Sequence, residues 1–232
     1  MSEEKDIKTG EAGAAAKKPS EKKRKRAITL GVVAAVIIVA GAGFWVWHEQ
    51  PSFCNAICHA PQDPINETYD GVLGEAGFDK WGNPVEDMGD LLVVQHKEAA
   101  GATCLSCHVP TIGQQVTEGM LWVSGNYQYP LNERSLTDLN HYLQAEDESA
   151  FCMNDSCHNM ARDDLARATA SYGKRNPHVT EVKHTEMECS DCHKSHRQSV
   201  NACSRCHDDV KIPDGWLSAE EAAEITSAGF RY

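Results

Sequence analysis

The chain has 232 residues, of which 41% are apolar, with 10 cysteines, 11 histidines and a formal net charge of −12. That length admits an anchor and one or two small domains. Residues 1–26 carry nine basic and five acidic side chains (+4), whereas residues 27–232 carry 13 basic and 29 acidic ones (−16), a sign that argues against nucleic acid and suits a partner with a basic docking face.

Residues 1–26 show no apolar period and read as a disordered, basic cytoplasmic tail. Ala27 to Trp47 (AITLGVVAAVIIVAGAGFWVW) is 21 uncharged residues, long enough to cross a bilayer as a helix. Lys22, Lys23, Arg24, Lys25 and Arg26 precede it directly, and no Lys or Arg comes after it until Lys80. By the positive-inside rule the N-terminus is cytoplasmic, and the chain beyond the span is extracytoplasmic, in a single-pass protein of the cell membrane. Trp45 and Trp47 fall where the outer headgroups would lie. The competing reading is a cleaved signal peptide with Ala40-Gly41-Ala42 as its cleavage site; either way the remainder is exported.

Beyond residue 50 no apolar alternation is long enough for a sheet. Helices are expected at about 87–101, 135–146, 158–172 and 217–228, the last capped by Ser218. The stretch 109–134 reads as an extended or loop-rich connection with room for a short helix. Aliphatic residues are too scattered for a conventional core of this size.

One short pattern recurs five times and uses every cysteine. It consists of Cys54, Cys58 and His59; Cys104, Cys107 and His108; Cys152, Cys157 and His158; Cys189, Cys192 and His193; and Cys203, Cys206 and His207. A disulfide framework gives no reason for a histidine after every second cysteine, and zinc sites do not need this fixed order. Cysteine-x-x-cysteine-histidine is the attachment signature of c-type haem. Two thiols close on the porphyrin vinyl groups, and the adjacent imidazole becomes the proximal iron ligand. The first pattern has three residues between its cysteines and the third has four; the histidine keeps its place in both.

The expected cofactors are therefore five covalently bound haem c groups, whose macrocycles supply the missing apolar area. The expected fold is mainly α with much irregular structure: the transmembrane helix 27–47, a haem-packed multihaem cytochrome c domain over 48–212, and a C-terminal helical tail over 213–232.

Six histidines remain for at most five distal positions. His96, His178, His184 and His196 lie in segments dense in haem motifs and are expected as distal ligands. His141, in LNHYLQ, is a fifth ligand or a helix-surface residue. His48 ends the span, and interfacial placement explains it.

The span followed by FCNAICH and then HKEAAGATCLSCHVP resembles the NapC/NirT family of membrane-anchored quinol dehydrogenases, in which a histidine precedes a G-x-x-C-x-x-C-H-x-P segment. NPHVTEVKHTEMECSDCHKSH and CSRCHDD resemble the closing half of small tetrahaem cytochromes and of the haem domains attached to fumarate-reducing flavoproteins. By motif, the resemblance covers nearly all of 27–210. It implies menaquinol oxidation at the haem nearest the membrane and electron delivery to an extracytoplasmic reductase, either a flavoprotein or a multihaem protein such as a nitrite reductase. Some family members place methionine two residues after the first proximal histidine; here Pro61 stands there, which leaves the sixth ligand of the first haem open.

The residues alone also point to electron transfer, because iron with nitrogen on both faces offers no open position to a substrate. A multihaem reductase acting directly on a small nitrogen oxyanion is the alternative; it needs a vacant iron face, and no cysteine pair here is followed by lysine. A redox sensor would want a folded cytoplasmic domain, which the charged tail does not offer. From Trp47 to Cys54 the chain reaches at most about 25 Å. The first haem is thus expected at the outer membrane surface, with Glu49, Asp63 and Asp70 near enough in sequence to take quinol protons and Lys80 to hold the quinol oxygen, unless these are merely solvated charges. Cys203–His207 is the expected exit.

Overall fold

The computed structural model describes residues 20–58, 63–127, 136, 148–179 and 187–228. The chain divides into two units, Met1–Val46 and Trp47–Tyr232.

Among the described residues the first unit contains one helix, α1, which runs over Glu21–His48 and so ends in the second unit. No residue of α1 is buried. Its 28 residues are long and apolar enough to cross a membrane, a property that a secretory signal near the N-terminus shares.

The second unit is mainly short helix and irregular chain. After helical turns at Pro51–Phe53 and Cys54–Cys58 come α2 (Asp63–Asp70), α3 (Leu92–Ala100), α4 (Ile112–Ser124), α5 (Arg162–Ala168) and α6 (Ala219–Ala228). Its described strands are two residues long. β1 (Gly77–Phe78) pairs antiparallel with β2 (Pro84–Val85), and β3 (Val200–Asn201) pairs parallel with β4 (Leu217–Ser218).

The expected helix at 87–101 is broken at Leu91: a 3-10 turn over Met88–Asp90 precedes α3. The break frees Leu91 to bridge Gln198, while the amides of Leu92 and Val93 donate to the carbonyls of Lys194 and Ser195 at 3.3 and 3.2 Å. Leu91 itself is fully buried with Val85, Met88 and Val94. This small cluster is the unit's aliphatic core, and its size agrees with the scattered apolar pattern.

Within the stretch 109–134, where a loop-rich connection with room for a short helix is expected, residues 112–124 form the 13-residue helix α4. The Thr111 hydroxyl accepts from the Gln114 amide at 3.2 Å, and the Gln114 side chain accepts from the Thr111 amide at 2.7 Å. This capping box satisfies two donors that a helix start leaves orphaned. Gly125, at φ 71°, ends the helix in a left-handed turn that glycine adopts without a Cβ penalty.

The expected 158–172 helix is shorter, Arg162–Ala168 followed by a 3-10 segment over Ala170–Arg175. The 135–146 helix lies outside the described residues. Ser218 caps α6 as its sequence indicates, accepting from the Glu221 amide at 3.2 Å. Residues 217–219 of the C-terminal segment contact the unit through β4 on β3 and the Ala219 amide donating to Ser204 Oγ at 2.8 Å.

Candidate functional site

Four of the five cysteine motifs are tight turns that close the same way. In CLSCH, CSDCH and CSRCH the histidine amide donates to the carbonyl of the first cysteine, at 2.9, 2.9 and 3.0 Å. Cysteines three apart on one helical turn point to one side, as two thioether bonds to one porphyrin require. The longer CMNDSCH loop reaches the same closure, with the His158 amide 3.1 Å from the Cys152 carbonyl. Asn154 absorbs the additional residues, its carbonyl accepting from the Cys157 amide at 3.1 Å. In the first motif, Cys54–Cys58 is a π-turn, which has room for one more residue than an α-turn. Its His59 lies outside the described residues.

Gly101 prepares the second motif. At φ 63° it ends α3 in a left-handed turn, its amide bonded to Lys97 O at 2.9 Å, and swings the chain into Thr103 and Cys104.

The nine cysteines whose side chains are described are thiols outside any disulfide. Among the described residues no three His, Cys, Asp or Glu side chains converge as a bare metal ion would need. Imidazoles instead meet in twos. His108 faces His196 with ring centroids 6.3 Å apart, His158 faces His96 at 5.9 Å, and His193 faces His178 at 6.4 Å. Two imidazoles each bonded to one metal at about 2 Å have centroids roughly 6 Å apart. Each pair joins a motif histidine to one outside any motif, so the side chains fit an iron held from both faces.

The outer rings are tethered through Nδ1, which leaves Nε2 for a metal. His96 Nδ1 lies 2.8 Å from Leu92 O, His196 Nδ1 lies 2.7 Å from Thr68 Oγ1, and His178 Nδ1 lies 3.0 Å from Thr169 Oγ1. Trp216 stands edge-on to His193 at 5.0 Å. Burial pushes the pKa values of both His193 and His178 down; neighbouring imidazoles add to the effect at His193, and Arg162 does so at His178. Both shifts favour the neutral ring, the form that binds metal.

Residues of consecutive motifs neighbour one another in space. Cys54 hydrogen-bonds Cys104, the main cause of that thiol's lowered pKa. Cys107 is raised by burial and then by the nearby Cys157. Ser149 Oγ reaches Cys189 Sγ at 4.0 Å. Cys192 is raised by burial, with Cys203 among its neighbours. Arg175, near His178, makes a forked ion pair with Asp209 just past the fifth motif, at 3.0 to 3.2 Å.

Of the four residues expected around quinol, Glu49, Asp70 and Lys80 have described side chains, each with its own neighbours. Glu49 lies 3.6 Å from His48 Nδ1, and Asp70 acts electrostatically on Cys104. Lys80 lies over the Trp81 ring at 4.9 Å, with Arg197 at 5.0 Å from the same ring, and the Lys80 amide donates to His196 O at 2.9 Å, which ties it to the His108–His196 pair. The side chain of Asp63, like His141 and His184, lies outside what is described. Thr68 and Thr169 carried no signal in the sequence, since Thr68 meets a histidine 128 residues away.

Covalent attachment turns with paired imidazoles define a c-type cytochrome with several haem sites. The family model described as cytochrome c3 matches residues 137–208. Over 210 residues the chain is 51% identical to the cytochrome c-type protein Cgr1 of Eggerthella lenta, an alignment that covers 90% of this chain and 95% of that one. No solved structure matches. The chain belongs to the multihaem cytochrome c family and is an electron-transfer protein carrying covalently bound haem c.

Proposed function

We propose that the chain is a membrane-anchored pentahaem cytochrome of the NapC/NirT type, which takes electrons from menaquinol at its membrane end and delivers them to an extracytoplasmic reductase, a flavoprotein or another multihaem protein. Bound haem c supplies iron centres that exchange one electron at a time. The protein's part is to fix how many there are, which ligands they have and in what order they stand. His108 and His196, His158 and His96, and His193 and His178 hold three irons; His59 and His207 are the proximal ligands of the first and fifth, for which His141 and His184 remain as distal ligands. With both faces taken, these irons suit conduction rather than substrate binding.

The single observation that carries the reading is the order of the motifs, which neighbour one another from first to fifth. The first motif also begins six residues after His48, the last residue of the apolar helix α1. Phe53, buried directly before Cys54, packs on Trp47 and His48 with ring centroids 4.9 and 4.8 Å away. His48 Nε2 lies 2.8 Å from Gln115 Oε1 of α4. On α4, Ile112, Val116, Met120 and Val123 form an apolar stripe that is 60–79% exposed, suited to the headgroup boundary where a quinol would arrive. Anchored by α1 with its N-terminus in the cytoplasm, the chain would hold its haem domain outside. Quinol oxidation releases two protons with its two electrons, for which Glu49, Asp63 and Asp70 are the acceptors nearest the first motif in sequence.

Two measurements test this. The intact mass of the purified protein should equal the chain plus five haems after denaturation, and four would remove one of the widened motifs. His59→Ala should abolish reduction by menaquinol analogues in membranes while dithionite still reduces the remaining haems; normal quinol electron uptake by that variant sinks the quinol-dehydrogenase reading.

A further inference from the structure

We infer that Thr68 and Thr169 are positioning residues that fix the Nδ1–H tautomer of His196 and His178 and thereby set the reduction potentials of the two haem sites these histidines serve. The inference rests on the distal-ligand assignment above.

A threonine hydroxyl has one proton and can accept as well as donate. Thr68 is fully buried, and its Oγ1 lies 2.7 Å from both Ile65 O and His196 Nδ1. The carbonyl can only accept, so the hydroxyl proton goes to Ile65 and the imidazole must donate. At the second site the Asn176 side-chain amide donates to Ala166 O at 2.7 Å, which turns its Oδ1 towards Thr169. Thr169 Oγ1 then faces two pure acceptors, Leu165 O at 2.6 Å and Asn176 Oδ1 at 2.9 Å. Its one proton goes to one of them, and His178 Nδ1, 3.0 Å away, is again the donor. Both relays therefore run the same way, from imidazole N–H to threonine oxygen to a helix carbonyl or an amide. They leave each Nε2 with its lone pair directed away from the relay.

A ring that donates through Nδ1 is a stronger base at Nε2, and such partners fix the orientation and basicity of metal-bound histidines. A stronger base favours ferric over ferrous iron and lowers the potential. His96 reaches the same state by a different route, donating straight to the backbone carbonyl of Leu92, which no side-chain change removes. Two of the three paired sites are thus open to tuning through threonine, and the third is not.

The test uses the full haem-loaded chain. Thr68→Val and Thr169→Val keep the shape and remove the hydroxyl, and Thr→Ser at each position restores it. In potentiometric titrations each valine variant should move one haem to a more positive potential and leave the others in place. A tenfold loss of ferric relative to ferrous ligand affinity, the lower end of what such partners contribute, corresponds to about 59 mV. The low-spin electron paramagnetic resonance signal of the same haem should shift, and the serine variants should return both readouts to the parent values. Unchanged potentials and spectra in both valine variants would overturn the inference. So would a shift that serine fails to restore, because the lost methyl packing would then be the cause. His178→Ala and His196→Ala, measured alongside, separate the two levels: if both stay fully low-spin, the ligand assignment itself fails.

Discussion

His96→Ala is expected to convert one haem to a five-coordinate, high-spin state, and that haem is the one bound by Cys152 and Cys157. Sequence proximity would point elsewhere, since His96 lies eight residues before Cys104 and 62 before His158. The structure sets its ring 5.9 Å from His158, nearly perpendicular at 87°. Deleting one attachment motif at a time identifies the haem affected. In the His96→Ala background, replacing Cys152 and Cys157 by alanine should remove the high-spin signal, whereas replacing Cys104 and Cys107 should leave it. The opposite result would reassign His96 to the haem of its own segment. The effect is large because an iron that loses one of two strong-field ligands changes spin state outright, with no gradual intermediate.

Leu91→Ala is expected to destabilise the haem domain by about 2–5 kcal/mol, the range for emptying a fully buried leucine site. For a unit of this size that lowers the melting midpoint by about 2–4 °C per kcal/mol. Leu91 is fully buried between Val85, Met88 and Val94 and bridges Gln198. The same contact holds residues 194–198 against α3, and with them His196 opposite His108. The variant should therefore broaden the low-spin signal of that site as well as lower the thermal midpoint followed by circular dichroism. Leu73→Ala, at a position half exposed to solvent, is the control and should change stability by no more than about 0.5 kcal/mol. Equal midpoints for the two variants would show that the aliphatic cluster contributes little beside the bound cofactors.

Several features of the fold were legible locally. The apolar helix before His48 is written in 21 uncharged residues, and Ser218 announces α6. α4 was equally open to reading: Thr111-x-x-Gln114 is a capping box, and Ile112, Val116, Met120 and Val123 repeat at helical spacing. The break at Leu91 was not legible, because a bridge to Gln198 more than a hundred residues away decides it.

The chemistry is written entirely in the primary structure: ten cysteines in five motifs, each closed by a histidine, leave covalent haem as the cofactor because no other ligand needs that order. Which histidines face each other is a matter of folding. His108 meets His196, His158 meets His96 and His193 meets His178 across 88, 62 and 15 residues of chain. Attachment is a local matter of a few bonds along one turn, whereas the sixth ligand is supplied by whichever segment folding brings to the opposite face. The hydroxyls that orient those rings have the same origin: Thr68 and His196 are strangers in sequence and hydrogen-bonded neighbours only after α2 packs beside the fourth motif's exit.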